Sequence, residues 1–228
     1  MVYLFILFVI TLAAYAYCSL KGGYVAQLIT KTIASLFFVF TAVWANYTAD
    51  GNRLYFSLML MGLVCSLAGD IFIQGQKAGD NRGHAMLATG IGAFFVAHCF
   101  YIAAFVHLSP FSLWDIPVFI LPFIALRGMF ALLHLNFGKL KIASYVYLSA
   151  ILLMFTKALS LTYLGGGFTL PSALLMAGAV LFAVSDTLLT LFNFYPPCKG
   201  SKAISAAVTI TYYTAQALFA VSIAFVGG

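Results

Sequence analysis

The stretch "LVCSLAGDIFIQG" (residues 63–75) ends a long apolar run and contains one aspartate, Asp70, among side chains suited to a membrane interior. A second stretch, "GAVLFAVSDTLLTLF" (178–192), places Asp186 in the same setting. The chain has 228 residues, of which 64% are hydrophobic and 7% are charged, whereas a soluble domain is about half apolar and a quarter charged. This composition predicts an integral membrane protein, so we interpret the net charge of +6 as membrane topology rather than nucleic-acid binding.

The apolar runs predict an all-α membrane protein, a single domain (residues 1–228) built as a bundle of eight transmembrane helices. A spanning helix needs ~20 apolar residues. Breaks at Gly, Pro, Asn and charged clusters give the runs 2–19, 25–46, 54–74, 85–108, 113–133, 141–163, 171–193 and 203–226. Because the loops are short, neighbouring helices should pack antiparallel. No basic residue precedes the first run, so we expect a retained helix rather than a cleaved signal peptide.

Lysine and arginine are distributed unevenly among the predicted loops. The odd-numbered loops carry Lys21, Lys77, Arg82, Lys139, Lys141, Lys199 and Lys202, whereas the even-numbered loops carry Arg53 alone. Basic loops remain in the cytoplasm. We therefore expect cytoplasmic odd-numbered loops, both termini on the other side, and a multi-pass protein of a bacterial inner membrane.

Two segments of the chain resemble each other. "CSLAGDIFI" (65–73) and "LFAVSDTLL" (181–189) both place a small residue before an aspartate, in the third and the seventh run. The likeness is compatible with a four-plus-four parallel repeat. Chance similarity between apolar helices would explain it equally well.

Six ionisable side chains lie at membrane depth in this arrangement: Lys31, Asp70, His98, Arg127, Lys157 and Asp186. At ~1.5 Å per residue, Lys31, Asp70, Arg127 and Asp186 fall roughly 9–14 Å from the cytoplasmic ends of their helices. Such groups generally face the bundle interior and mark a functional site. Structural ion pairs, Lys31 with Asp70 or Arg127 with Asp186, would account for each pair equally well. Lys157 lies near the outer end of its run, and we expect it to snorkel to the interface.

Polar side chains share helix faces with these charges, because residues three or four positions apart stack on one side of a helix. Ser66, Asp70 and Gln74 form one such stripe, and Gln27, Lys31 and Ser35 form another. Together with Lys31 and Arg127, the candidates for substrate binding are Ser66, Gln74, His98, Tyr101, Asn193, Tyr212, Tyr213 and Gln216. A single deep histidine and four isolated cysteines predict neither a metal site nor a disulfide.

Four short motifs occur in a fixed order: "SLAGDIFI" (66–73), "GIGAFFVAHCFYIAAF" (90–105), "GAVLFAVSDTLL" (178–189) and "TYYTAQ" (211–216). In order and spacing they resemble the YhhN-like lysoplasmalogenase family over essentially the whole chain. One departure is Lys31–Thr32, where the family often has Lys-Pro. The resemblance implies a membrane hydrolase that cleaves the vinyl ether of lysoplasmalogens to a fatty aldehyde and glycerophosphoethanolamine or glycerophosphocholine. It implies no metal or cofactor, and it makes Asp70 and Asp186 the catalytic residues.

The residues supply what this chemistry needs. A vinyl ether hydrolyses through protonation of its outer alkenyl carbon, which requires a carboxylic acid and a carboxylate that stabilises the resulting cation. The more apolar flanks of Asp186 favour it as the acid and Asp70 as the carboxylate. The expected partners are a lysophospholipid and membrane lipids, with the head group near Lys31 and Arg127. A small-molecule or proton-coupled transporter and a purely structural scaffold remain the alternatives.

Overall fold

The computed structural model describes residues 2–49, 51–75, 83–164 and 167–226, and in these ranges the secondary structure consists of helices joined by short loops, with no strand. The α-helices are α1 (Val2–Lys21), α2 (Tyr24–Thr48), α3 (Arg53–Gly75), α4 (Gly83–Leu108), α5 (Asp115–Leu132), α6 (Lys141–Tyr163), α7 (Leu170–Phe194) and α8 (Lys202–Ser222). Each helix coincides with one predicted run to within a few residues, and the all-α prediction is confirmed. Lys77 and Arg82, two of the basic loop residues, lie outside the described residues.

The helices have the length and composition of membrane spans. Seven of them, α2 to α8, are long and apolar enough to cross a membrane. In α1 the apolar segment found among the described residues, Phe8–Ser19, is shorter. Large apolar side chains such as Leu121, Ile124 and Leu132 of α5 are exposed on the outside of the bundle, as expected for a surface that faces lipid.

The bundle is a ring of six helices with two helices outside it. The ring runs α2, α3, α4, α6, α7 and α8, and α8 packs back on α2, while α1 packs on α2 and α5 packs on α6. The pairs α3–α4 and α7–α8 approach closely at glycines. A Cβ at Gly62 would overlap the ring of Tyr101, and one at Gly178 would overlap the ring of Phe219. Small residues at such crossings let helix backbones come close.

The turn between α5 and α6 has a defined geometry. The backbone N–H of Leu135 donates to the carbonyl of Phe130 (3.1 Å), and that of His134 donates to the carbonyl of Ala131 (3.0 Å). This Schellman pattern usually places glycine at the residue with positive φ. Here that residue is His134, with φ of 51°.

Candidate active site

Asp70 is the centre of a buried polar cluster formed by α2, α3 and α8. Its side chain makes an ion pair with Lys31, whose Nζ lies 3.1 Å from Oδ1. The other oxygen, Oδ2, accepts hydrogen bonds from the hydroxyls of Ser35 and Tyr212, each at 2.7 Å. Because Asp70 is only 2% exposed, these three partners replace water, and they stabilise the ionised carboxylate.

Further polar side chains surround this cluster. The hydroxyl of Tyr213 lies 3.1 Å from the Ser35 hydroxyl and donates to the Lys31 carbonyl at 3.2 Å. On the next turn of α3, the Gln74 amide donates to Gln27 Oε1 at 3.1 Å. The stripe of polar residues expected on α3 therefore meets a matching stripe on α2.

Asp186 has a different environment on α7. Tyr147 of α6 donates a hydrogen bond of 2.6 Å to its Oδ2, and Asp186 is 9% exposed. In the described part of the chain, ion pairs join Lys31 to Asp70 and Lys157 to Asp115, and Asp186 forms none. One aspartate thus has a cationic partner, and the other has a neutral phenol.

The Arg127–Asp186 pairing considered from the sequence is wrong. Arg127 is exposed on α5 and lines a separate cavity with His134 and Lys141. The physical reason is that α5 lies outside the six-helix ring and packs on α6. Its residues can share the depth of Asp186 without sharing the interior.

Asp70 and Asp186 line the same cavity, which has a volume of about 260 Å³. Its lining also includes predicted site residues, namely Lys31, Gln74, Asn193, Tyr212 and Tyr213. Apolar side chains such as Phe94, Leu148 and Ile151 form other parts of its wall. The cavity therefore combines two carboxyl groups with an apolar surface, as a site for an amphipathic molecule requires.

The other four predicted site residues are buried outside the cavity lining, and three of them, Ser66, Tyr101 and Gln216, form a hydrogen-bonded network. The Tyr101 hydroxyl lies 3.1 Å from the Ser66 hydroxyl and donates to Gln216 Oε1 at 2.8 Å. His98 Nδ1 lies 2.7 Å from the Phe94 carbonyl, so this nitrogen carries the proton. The His98 ring packs edge-on against Tyr147, with the centroids 5.3 Å apart. His98 thus contacts Phe94 and Tyr147, two residues of the cavity lining, and can help to orient them.

The expectation that Lys157 snorkels to the interface is wrong. Lys157 is 0% exposed, and its Nζ lies 2.9 Å from Asp115 Oδ2. It also donates to the Pro110 carbonyl (2.9 Å) and to Ser160 (3.3 Å), while Ser160 and Tyr163 donate to Asp115 Oδ1. Counting residues gave Lys157 its depth but did not identify Asp115, at the start of α5, as its partner.

Sequence reasoning missed Tyr147 and did not select Ser35 as a site residue. The spacing of Gln27, Lys31 and Ser35 placed all three on one face of α2, but it did not indicate that Ser35 would donate a hydrogen bond to Asp70. A tyrosine in an apolar helix gives no comparable signal, and only the packing of α6 on α7 reveals Tyr147. In the described ranges, no three His, Cys, Asp or Glu residues lie close enough to bind a metal ion.

Comparisons with known proteins give one result. No curated protein and no solved structure matches the chain. The YhhN family model matches residues 26–223. This segment contains Lys31, Asp70, Tyr147, Asp186 and Tyr212, and it covers most of the chain. The protein therefore belongs to the YhhN family.

Proposed function

We propose that the protein is a membrane hydrolase that cleaves the vinyl ether bond of lysoplasmalogens. The observation that carries the proposal is the pair Asp70 and Asp186, which line one cavity in contrasting electrostatic settings. An ion pair keeps one carboxyl group charged, and a phenol leaves the other free to hold a proton. This division of roles is what acid-catalysed ether cleavage requires.

The reaction follows from these two settings. Asp186 donates its proton to the outer alkenyl carbon, and the double-bond electrons leave an oxocarbenium ion that Asp70 stabilises by its charge. Water attacks the cationic carbon and returns one proton to Asp186. In the resulting hemiacetal, the hydroxyl proton moves to the glycerol oxygen as the C–O bond breaks. The products are a fatty aldehyde and a glycerophosphodiester, and one water is consumed.

Tyr147 fixes the geometry of the proposed acid. Its hydroxyl donates to Oδ2 of Asp186 at 2.6 Å, which favours Oδ1 as the oxygen that carries the acid proton, because a carbonyl oxygen is the better acceptor. Asp70 accepts three hydrogen bonds or ionic contacts, which suits a fixed negative charge better than an exchanging proton.

We further propose that all eight helices span the membrane, with the odd-numbered loops and the opening of the cavity on the cytoplasmic side. The excess of Lys and Arg in those loops supports this orientation. A lysolipid in the cytoplasmic leaflet could then enter with its chain along the apolar wall. Both termini would lie on the other side of the membrane. In a bacterium this membrane would be the inner membrane.

Helix packing supports an origin of this bundle by duplication of four helices. The contacts repeat when four is added to each helix number and counting restarts at α1 after α8. The pairs α1–α2, α2–α3, α3–α4 and α4–α6 then correspond to α5–α6, α6–α7, α7–α8 and α8–α2, and all eight pairs are in contact. Asp186 follows Asp70 by 116 residues, and Tyr147 follows Lys31 by the same number. The two aspartates would then be equivalent positions whose partners have diverged from lysine to tyrosine.

A small-molecule or proton-coupled transporter is the second candidate, because the repeated packing pattern is also found in carriers. The test uses purified protein in detergent, where no second compartment exists. In heavy water, the hydrolase releases an aldehyde that carries one deuterium on the carbon next to the carbonyl, trapped by immediate reduction. The matched alkyl ether is not cleaved. Absence of aldehyde, together with uptake of the lipid into proteoliposomes, would establish the carrier instead.

A further inference from the structure

A second cavity, of about 630 Å³, lies at the turn between α5 and α6. Its lining includes Arg127, His134 and Lys141 and contains no acidic residue. In the described residues, neither Arg127 nor Lys141 forms an ion pair. The cavity therefore concentrates positive charge with no carboxylate to neutralise it.

The two cavities share a wall of aromatic side chains. Phe130, Phe137 and Tyr145 line both of them. The ring of Phe137 lies 5.7 Å from that of Phe130 and 5.9 Å from that of Tyr145, measured between centroids. The two cavities are therefore adjacent, with these three aromatic side chains between them.

The backbone at His134 is compatible with a role in this cavity. Its φ of 51° is a conformation that glycine adopts more easily, at the position where glycine usually ends a helix. A non-glycine residue held in this region costs free energy, and such residues concentrate at ligand sites. In place of the usual glycine, this position has a histidine, whose imidazole lines the basic cavity.

We propose that the basic cavity binds the phosphate of the lysolipid head group while the vinyl ether reaches Asp186 in the first cavity. The inference rests on the proposed function. The guanidinium of Arg127 matches the geometry of a phosphate, and Lys141 adds a second charge. In a lysolipid only a few bonds separate the phosphate from the ether, so the two groups must occupy neighbouring sites. Free phosphate or an anionic membrane lipid offers the same oxyanion chemistry.

The test measures binding, which does not depend on hydrolysis. The probes are a saturated alkyl-ether lysophospholipid, which cannot be cleaved by the proposed route, and the alkylglycerol that lacks its phosphate. The variant is the full chain in detergent with Arg127→Gln and Lys141→Gln. The control with Lys199→Gln and Lys202→Gln removes the same charge from loops predicted to lie on the same side. We expect about tenfold or greater weakening for the phospholipid in the variant alone, and no change for the alkylglycerol.

The other outcomes overturn the inference. Unchanged phospholipid affinity in the variant, equal weakening of both probes, or equal weakening in the control would each exclude a phosphate site. If inorganic phosphate, or an anionic lipid in mixed micelles, competes at the affinity of the lysophospholipid, that ligand and not the lysolipid is the natural occupant of the cavity. His134→Gly should weaken phospholipid binding without lowering the melting temperature, since glycine suits the turn. Phosphate-dependent binding without vinyl ether cleavage would support the phosphate site and refute the proposed function.

Discussion

Replacement of Lys31 by methionine tests whether Asp70 must be ionised. Lys31 Nζ lies 3.1 Å from Asp70 Oδ1, a separation at which two unit charges interact by about 5 kcal/mol at an effective dielectric constant of ~20. The hydroxyls of Ser35 and Tyr212 remain as hydrogen-bond donors, and they retain part of this stabilisation. We expect Lys31→Met to lower the rate of aldehyde release about 10³-fold, since each 1.36 kcal/mol corresponds to about tenfold.

The matched control is Lys157→Met, which removes the other buried lysine paired with an aspartate. Lys157 and Asp115 do not line the reaction cavity, so this variant should lose about 3–5 kcal/mol of stability while its folded fraction retains activity. The assay combines aldehyde release with thermal unfolding of each purified variant. Lys31→Met activity within fivefold of wild type would refute the reasoning, as would an equal loss of specific activity in folded Lys157→Met.

The remaining predictions concern Asp186, the second ion pair and a helix crossing. Tyr147→Phe should slow aldehyde release about 10–100-fold, because it removes the hydrogen bond to Asp186, whereas Tyr47→Phe, at an exposed position of α2 outside both cavities, should leave the rate unchanged. Asp115→Leu combined with Lys157→Met should unfold at a higher temperature than either single variant, since no unpaired buried charge remains. Gly178→Val should lower the yield of folded protein, because its side chain would overlap an aromatic ring of α8. Rates and melting curves that differ from these would contradict the packing described.

Depth along each helix could be predicted from the sequence, but direction around each helix could not. Counting residues placed Lys31 and Asp70 at one level, and the structure joins them in an ion pair. The same counting placed Arg127 at that level, although α5 packs outside the ring and exposes it. The difference arises because hydrophobicity is high on every side of these helices, and a uniformly apolar helix does not indicate which face is buried.

Partners contributed by other helices were the second unpredictable element. The Asp115 carboxylate stands at the start of α5, where a sequence suggests a solvated or capping residue, yet it neutralises Lys157 of α6. The role of Tyr147 likewise becomes evident only from its hydrogen bond to Asp186. Polar residues near a charge on one helix, such as Ser35 and Gln74, follow from periodicity. Contacts between helices far apart in sequence require the packed bundle.

The most direct test of the acid–carboxylate pair is aldehyde release by purified Asp186→Asn in detergent, with a lysoplasmalogen as substrate. Asparagine has nearly the shape of aspartate but no acidic proton, so Tyr147 can retain a hydrogen bond to it. We expect the rate of aldehyde release to fall about 10³-fold or more in Asp186→Asn and equally in Asp70→Asn. The melting temperature of Asp186→Asn should be unchanged. Activity of Asp186→Asn within tenfold of wild type would contradict the role of Asp186 as the acid that protonates the vinyl ether.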